Sequence, residues 1–365
     1  DEIRTFMADT YFCSPEKTEL SIDIAKRELG LLNKLDYEKG YSLYIGIPFC
    51  PSTCLYCSFT SYPLSAWEKR VDEYLDALEK EIDYTAEQYR ERHLNTIYIG
   101  GGTPTTLAPY QLDRLIRKIK SSFDLSHLLE FTVEAGRPDS ITKEKLEVLR
   151  SHGISRISIN PQTMKQETLE IIGRHHTVEQ TVQSFLTARE LGFDNINMDL
   201  IVGLPNENLE DVRHTMEQLE ELQPDNITVH SLAIKRAARL NMFKEDYTNL
   251  KMENTWEHIE VTADYCKRMG LQPYYLYRQK NMAGNFENVG YAKEGKAGIY
   301  NILIMEEKQT IVACGAGAST KRVWNTPNPD GTHRIERCEN VKDVALYIER
   351  IDEMIERKKR LFAEE

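Results

Sequence analysis

From Tyr41 onward the chain alternates between short apolar runs and longer stretches whose apolar residues recur at helical spacing. Leu43–Phe49 precedes a helical stretch near Trp67–Arg92, and Thr96–Gly100 precedes one at Pro109–Ser122. The order repeats as Glu130–Glu134 with Lys143–Ser151, and as Ile157–Asn160 with Glu167–Leu191. Asn195–Val202 with Leu209–Leu222 and Asn226–Leu232 with Met252–Met269 complete the series. Leu112, Leu115, Ile116 and Ile119 show the three-and-four interval that lines one helix face. The short runs are β-branched and bounded by Gly, Pro or Asn, as expected for buried parallel strands. Six such units in a row predict an α/β fold with right-handed crossovers. Periodicity alone leaves a barrel and an open doubly wound sheet as alternatives. In both, ligands gather at the C-terminal ends of the strands.

Outside these units the rhythm changes. Residues 1–40 hold one helical pattern, about Pro15 to Leu35, rich in Glu, Lys and Leu. After Gly270, Pro273–Gln279 reads as a strand, and Ile302–Met305 with Thr310–Cys314 as a hairpin across Glu306–Gln309. Asn325–Gly331 is turn-rich, and Val341–Arg360 is a closing helix whose charged face is expected to be solvated. Three parts are therefore expected: an N-terminal helical extension over 1–40, a core over 41–270 and an α+β region over 271–365. The chain starts at Asp1 rather than Met, which leaves room for sequence upstream.

Composition narrows the class. With 365 residues and 41% hydrophobic content, the chain can bury a sizeable core. Its net charge of −12 is spread along the length, which argues against unspecific binding to nucleic acid or to an anionic membrane. There is no apolar stretch of spanning length and no secretory signal pattern. Seven cysteines, three of them clustered, read as a reducing cytoplasmic protein that binds metal through thiols. The scattered Cys13, Cys266, Cys314 and Cys338 are expected to be small core residues.

The cluster comprises Cys50, Cys54 and Cys57, in Cys-Pro-Ser-Thr-Cys-Leu-Tyr-Cys directly after the run Tyr44–Phe49. Its offsets of four and seven also describe a helix face, but Pro51 and the strand-like run before Cys50 favour a loop. A closed iron–sulfur cubane takes four ligands, so three thiolates leave one iron open to a small molecule. Zinc is the alternative; zinc sites with three cysteines recruit a fourth His or Cys, and no His lies in this loop. Gly100-Gly101-Gly102-Thr103 follows a strand, where glycines let backbone amides and carbonyls approach a ligand. No Gly-Lys-Ser/Thr follows, so this is not a P-loop, and the dinucleotide fingerprint is absent. Gly315-Ala316-Gly317 reads as a strand-end turn. Asp199 lies inside an apolar strand, where an unpaired charge is costly, so it needs a partner, and a ligand is the favoured one. Lys235, Arg236 and Arg239 follow the sixth strand and suit an anionic ligand. Arg278 is a weaker candidate of that type, and the pair His175-His176 carries a weak acid/base signal.

Three segments carry a resemblance beyond the cysteine spacing: Tyr44-Ile45-Gly46-Ile47-Pro48-Phe49-Cys50, Gly100-Gly101-Gly102-Thr103-Pro104, and Asn197-Met198-Asp199-Leu200-Ile201-Val202-Gly203-Leu204-Pro205. From about Tyr41 to about Thr320 the chain resembles the radical SAM superfamily and, within it, the oxygen-independent coproporphyrinogen III oxidase family, closest to its HemZ branch. The resemblance implies a partial (β/α)6 TIM-like barrel with a smaller α+β C-terminal region. It implies a [4Fe–4S] cluster on Cys50, Cys54 and Cys57, with S-adenosylmethionine (SAM) chelated by the open iron. Electron transfer into the sulfonium would then release methionine and a 5′-deoxyadenosyl radical. The family's oxidases bind two SAM molecules. Motif matching places Tyr44, Gly101 and Glu134 with the first, and Tyr56, Gly102, Thr103, Gln162, Arg174, Asp199 and Ala233 with the second.

The implied reaction is oxidative decarboxylation of coproporphyrinogen III propionates to vinyl groups in haem biosynthesis. Lys235, Arg236 and Arg239 would hold the propionates of this tetrapyrrole. The implied electron donor is a flavodoxin or ferredoxin, and the expected state is a cytoplasmic monomer. A tetrapyrrole methyltransferase and a haem-binding, chaperone-like relative are the alternatives. The sequence departs from the oxidases where they carry a further cysteine two residues after the triplet; here Ser58-Phe59 puts Phe there. The haem-chaperone relatives share that Phe-type ending and carry His-Asn-x-x-Tyr-Trp, which is absent here; Asn288-Val289-Gly290-Tyr291 comes nearest and lacks the His.

Overall fold

In a computed structural model, which describes residues 1–233, 238, 249–278, 282, 284 and 286–363, the apolar runs become strands near their expected bounds. Two helices come first, α1 (Glu2–Tyr11) and α2 (Pro15–Leu32). Then follow β1 (Gly40–Ile47), the short β2 (Phe49–Cys50) and β3 (Tyr62–Pro63), α3 (Val71–Gln88), β4 (His93–Gly101) and α4 (Pro109–Ser122). The alternation continues through β5 (Glu130–Gly136), α5 (Lys143–Ser151), β6 (Arg156–Ile159), α6 (Gln166–Ile171) and α7 (Val178–Glu190). It ends with β7 (Ile196–Val202), α8 (Leu209–Leu222) and β8 (Asn226–Ser231). Strands β1, β4, β5, β6, β7 and β8 pair in parallel, each with the next. Leu43, Ile45 and Ile47 of β1 and Ile97 and Ile99 of β4 have no exposed surface, because helices cover one face and the barrel interior the other. Each such side chain contributes about 1.5–3 kcal/mol by its burial.

Residues after 270 extend this sheet at both ends. β9 (Gln272–Tyr277) and β10 (Asn288–Ala292) form an antiparallel ribbon beside β8. β11 (Thr310–Cys314) pairs in parallel with β1, and β12 (Ser319–Pro327) and β13 (His333–Glu339) continue outward from it. Among the described residues the result is one open sheet of eleven strands, a partial barrel whose edge strands β13 and β9 do not pair. No helix among the described residues is long and apolar enough to cross a membrane.

Four local expectations differ from the structure. Ile302–Met305 is no strand; it lies in a helix, Ile299–Glu306, so β11 has no hairpin partner there and joins β1 instead. That helix starts on a cap no local pattern reveals: the Glu130 carboxylate of β5 accepts the Ile299 amide at 2.7 Å and the Tyr300 amide at 3.4 Å. The single helix expected over Glu167–Leu191 is two, divided at Gly173, whose φ of +76° is left-handed. The closing helix also divides, into Val344–Glu349 and Ile351–Ala363, and its charged face is not wholly solvated, since Lys358 is fully buried. Finally, α1 was not anticipated by the pattern of residues 1–40. Of the scattered cysteines, Cys266 and Cys314 are buried, whereas Cys13 and Cys338 are only partly so.

Candidate active site

At the C-terminal ends of the parallel strands lies a cavity of ≈ 240 Å³. Cys50, Cys54, Tyr56 and Cys57 reach it from the loop after β2, Gly101, Gly102 and Thr103 from the end of β4, and Glu134 from β5. Gln162 and Arg174 enter from the segments after β6 and α6, Asp199 from β7 and Ala233 from beyond β8. Tyr44 stands apart, in an adjoining cavity of ≈ 190 Å³ that shares Ser58, Phe59 and Gly101 with the first. Lys235, Arg236 and Arg239 lie outside the described residues. Arg278 is exposed at the end of β9, His175 is exposed and His176 is buried.

The cysteine segment is a loop, as Pro51 implied, and it is tied down by backbone contacts. The Leu55 amide donates to the Ile172 carbonyl at 2.9 Å, and Ser52 Oγ donates to the Gly173 carbonyl at 2.8 Å. Cys50 and Cys54 are buried, Cys57 partly so, and all three thiols are free. Burial pushes the Cys50 thiol up to about 11, against a hydrogen bond from Thr103, and raises that of Cys57. A bound cation reverses this preference, because it pairs with the thiolate. Among the described residues no three His, Cys, Asp or Glu side chains converge as a single ion requires. A cubane makes no such demand, since each thiolate binds a different iron. The donor set therefore fits a cluster better than a lone zinc.

The glycine loop is packed against the cysteine segment. A Cβ on Gly102 would sit 2.6 Å from the Phe49 carbonyl oxygen, so no side chain fits there. Its amides are already used: Gly102 donates to Ile47 and Thr103 to Phe49, each at 2.7 Å, and Gly101 donates to Glu134. An ammonium group needs acceptors, so the loop can serve one only through its carbonyls. The Glu134 carboxylate leans over this loop and accepts from the Tyr98 hydroxyl. Burial raises its pKa to about 7, opposed by the Tyr98 bond and reinforced by nearby Asp199.

Asp199 does have a protein partner: His230 Nε2 lies 3.8 Å from Oδ2, and Asn197 Nδ2 donates to Oδ1 at 2.7 Å. Burial favours its neutral form, but His230 and Asn197 together hold its pKa below the usual value. Gln162 and Arg174 are left less satisfied. Gln162 has φ +66°, unusual for a residue with a side chain, and its buried Oε1 has no partner among the described residues. Arg174 donates to the Asn160 carbonyl, yet its Nε is buried without an acceptor among the described residues. Orphaned buried polar atoms beside a cavity are what a ligand would satisfy.

Arg137, Asn160, His230, Tyr277 and Asn288 also line the cavity and were not singled out from the sequence. Position at a strand's C-terminal end could have flagged Arg137, Asn160, His230 and Tyr277. Asn288 starts an antiparallel strand whose existence was not foreseen.

Comparison with known proteins agrees with this geometry. The radical SAM superfamily profile matches residues 44–219, the stretch that supplies the cysteine loop and most of the strand ends. The chain is thus a radical SAM protein, a class whose cofactors are a [4Fe–4S] cluster and SAM. It is 43% identical to the oxygen-independent coproporphyrinogen-III oxidase-like protein HemZ of Bacillus subtilis, over 95% of this chain and 69% of that one. It is 36% identical to the heme chaperone HemW of the same organism, over 76% of this chain and 70% of that one. The chain therefore belongs to the HemZ/HemN-like family of oxygen-independent coproporphyrinogen III oxidase relatives. In fold it superposes on coproporphyrinogen III oxidase (HemN) of Escherichia coli with a TM-score of 0.67 at 23% identity, over 89% of this chain and 72% of that structure.

Proposed function

We propose that this protein oxidatively decarboxylates the propionates of coproporphyrinogen III, or of a closely related tetrapyrrole, to vinyl groups without oxygen. The observation that supports the reading is the convergence of three free thiols, the glycine loop and the unsatisfied Gln162 and Arg174 on one cavity. Cys50, Cys54 and Cys57 would hold the cluster, which supplies one-electron reductive cleavage of SAM. Tyr44, Gly101 and Glu134 would orient a first SAM, with the Glu134 carboxylate and the loop carbonyls as acceptors for its ammonium or ribose donors. Tyr56, Gly102, Thr103, Gln162, Arg174, Asp199 and Ala233 surround the space for a second. A hydrogen atom from the propionate β-carbon would pass to the 5′-deoxyadenosyl fragment of SAM, and loss of carbon dioxide with transfer of one electron to an external one-electron acceptor would leave the vinyl group. Lys235, Arg236 and Arg239 follow Ala233 in sequence and would pair with the remaining propionates. A flavodoxin or ferredoxin would deliver the electron.

A second reading has one specific observation behind it. Phe59, exposed to 71%, occupies the position where the oxidases carry a further cysteine, and it lines both cavities. This favours a haem-binding or tetrapyrrole-methylating relative that keeps the cluster. One experiment separates them: anaerobic reconstitution, then SAM, reductant and coproporphyrinogen, with 5′-deoxyadenosine and tetrapyrrole products identified. Vinyl products support the proposal, and methylated products the methyltransferase. Haem binding without SAM turnover supports the carrier, and a colourless zinc-loaded protein overturns all three.

A further inference from the structure

The three thiols differ in what faces them. Cys50 Sγ lies 3.3 Å from Thr103 Oγ1 and Cys57 Sγ lies 3.8 Å from Ser61 Oγ, both neutral hydroxyls. Cys54 instead meets cations. Arg137 donates from Nη1 to Cys54 Sγ at 3.6 Å and to the Ser52 carbonyl at 2.8 Å, and the Arg174 guanidinium is near enough to interact electrostatically with Cys54.

Arg137 is 2% exposed and cannot wander. Asp139 grips its other edge in a two-pronged pair, 3.0 Å to Nε and 2.6 Å to Nη2. Its own carbonyl accepts from Ser140 Oγ at 2.8 Å, fixing the turn after β5. His176, buried nearby, has no partner on either ring nitrogen among the described residues, and burial with Arg174 and Arg137 close by keeps it neutral. The charges around Cys54 are therefore two guanidiniums against one carboxylate, a net positive surrounding in a water-poor site, where such charges act strongly.

We propose that Arg137 is a positioning residue that locks the cysteine loop through Ser52 and, through Cys54 Sγ, makes the bound cluster easier to reduce. This rests on Cys50, Cys54 and Cys57 being cluster ligands. Hydrogen bonds to ligand sulfur and nearby positive charge stabilise the more negative, reduced form and so raise its potential. The clamp by Asp139 makes this a property of the fold rather than of one mobile side chain.

The test is a redox titration of the anaerobically reconstituted full chain without SAM, followed by electron paramagnetic resonance, with iron and sulfide counted in each sample. At the wild-type midpoint, Arg137→Met is expected to lower the reduced-to-oxidised ratio about tenfold, equivalent to 59 mV for a one-electron step. Arg137→Lys, which keeps the charge but not the fork, is expected to fall between them. A purely structural role would change iron content and leave the midpoint in place. An unshifted midpoint in fully loaded Arg137→Met overturns the inference. Should Arg137→Met take up no iron, the loaded Arg137→Lys protein decides: its midpoint must lie below that of the wild type, and an unmoved one overturns the inference. Wild-type protein that forms no cubane removes the underlying reading instead, and the inference falls with it.

Discussion

Two buried polar regions of this molecule are finished to different degrees. Between α3 and the C-terminal helices, the fully buried Glu81 carboxylate has four donors. Asn340 Nδ2 and Lys358 Nζ reach Oε1 at 2.7 and 2.5 Å, and the Gly315 amide and Tyr347 hydroxyl reach Oε2 at 2.7 and 2.5 Å. Around the strand-end cavity, by contrast, Gln162 Oε1 and Arg174 Nε are buried without partners among the described residues, and Glu134 is pushed toward neutrality by burial. The first arrangement uses polarity to latch the chain's end onto the barrel. The second leaves polarity over, at a cost of about 1–3 kcal/mol for each unsatisfied group, which a ligand can recover. The fully partnered Glu81 carboxylate thus fits a structural latch and the unpartnered Gln162 and Arg174 atoms a place for a ligand, although Asn340 Oδ1 beside Glu81 also lacks a partner among the described residues.

The strongest challenge to that contrast is Cys54→Ala, which should abolish cluster iron and all deoxyadenosine formation in reconstituted protein. Next, Lys358→Met should destabilise by about 3–5 kcal/mol in denaturant unfolding, because it strands the buried Glu81 charge. The double variant Glu81→Gln with Lys358→Met should recover part of that loss, because it removes the stranded charge while the amide oxygen still accepts; if it does not, the latch stabilises by something other than its charges. Gly102→Ala should cost about 1–3 kcal/mol and weaken SAM binding measured by calorimetry, because its Cβ meets the Phe49 and Ile47 carbonyl oxygens. Gly30→Ala is the matched control. Nothing lies within 4 Å of its Cβ, and in the last turn of α2 it should stabilise by at most about 0.5–1 kcal/mol.

A smaller effect is expected from pH. Glu134 has a folded pKa raised from the usual 4.5 to about 7. Between those values the folded state keeps a proton that the unfolded state has lost, so this group's contribution to stability falls as pH rises through the window and is flat above it. The total is about 2 kcal/mol once its contact with the cavity is allowed for. Glu134→Gln should remove that slope from unfolding curves taken across the window, and an unchanged slope would place the titration elsewhere.

Periodicity and spacing alone determined a good deal of this protein. Six strand–helix units, the bounds of α4, α5 and α8, the loop character of the cysteine segment and its thiol chemistry all follow from local rules, since backbone preference and burial pattern act over a few residues. The tertiary structure alone decided the remainder. Ile299–Glu306 is helical because Glu130, 169 residues earlier, caps its first amides. Lys358 is buried because Glu81 waits for it across 277 positions. Asp199 finds His230 on the neighbouring strand rather than relying on a ligand alone, and Arg137 finds Cys54. Each of these depends on which distant groups the sheet order brings together, and contacts across long sequence separations leave no periodic trace in the chain.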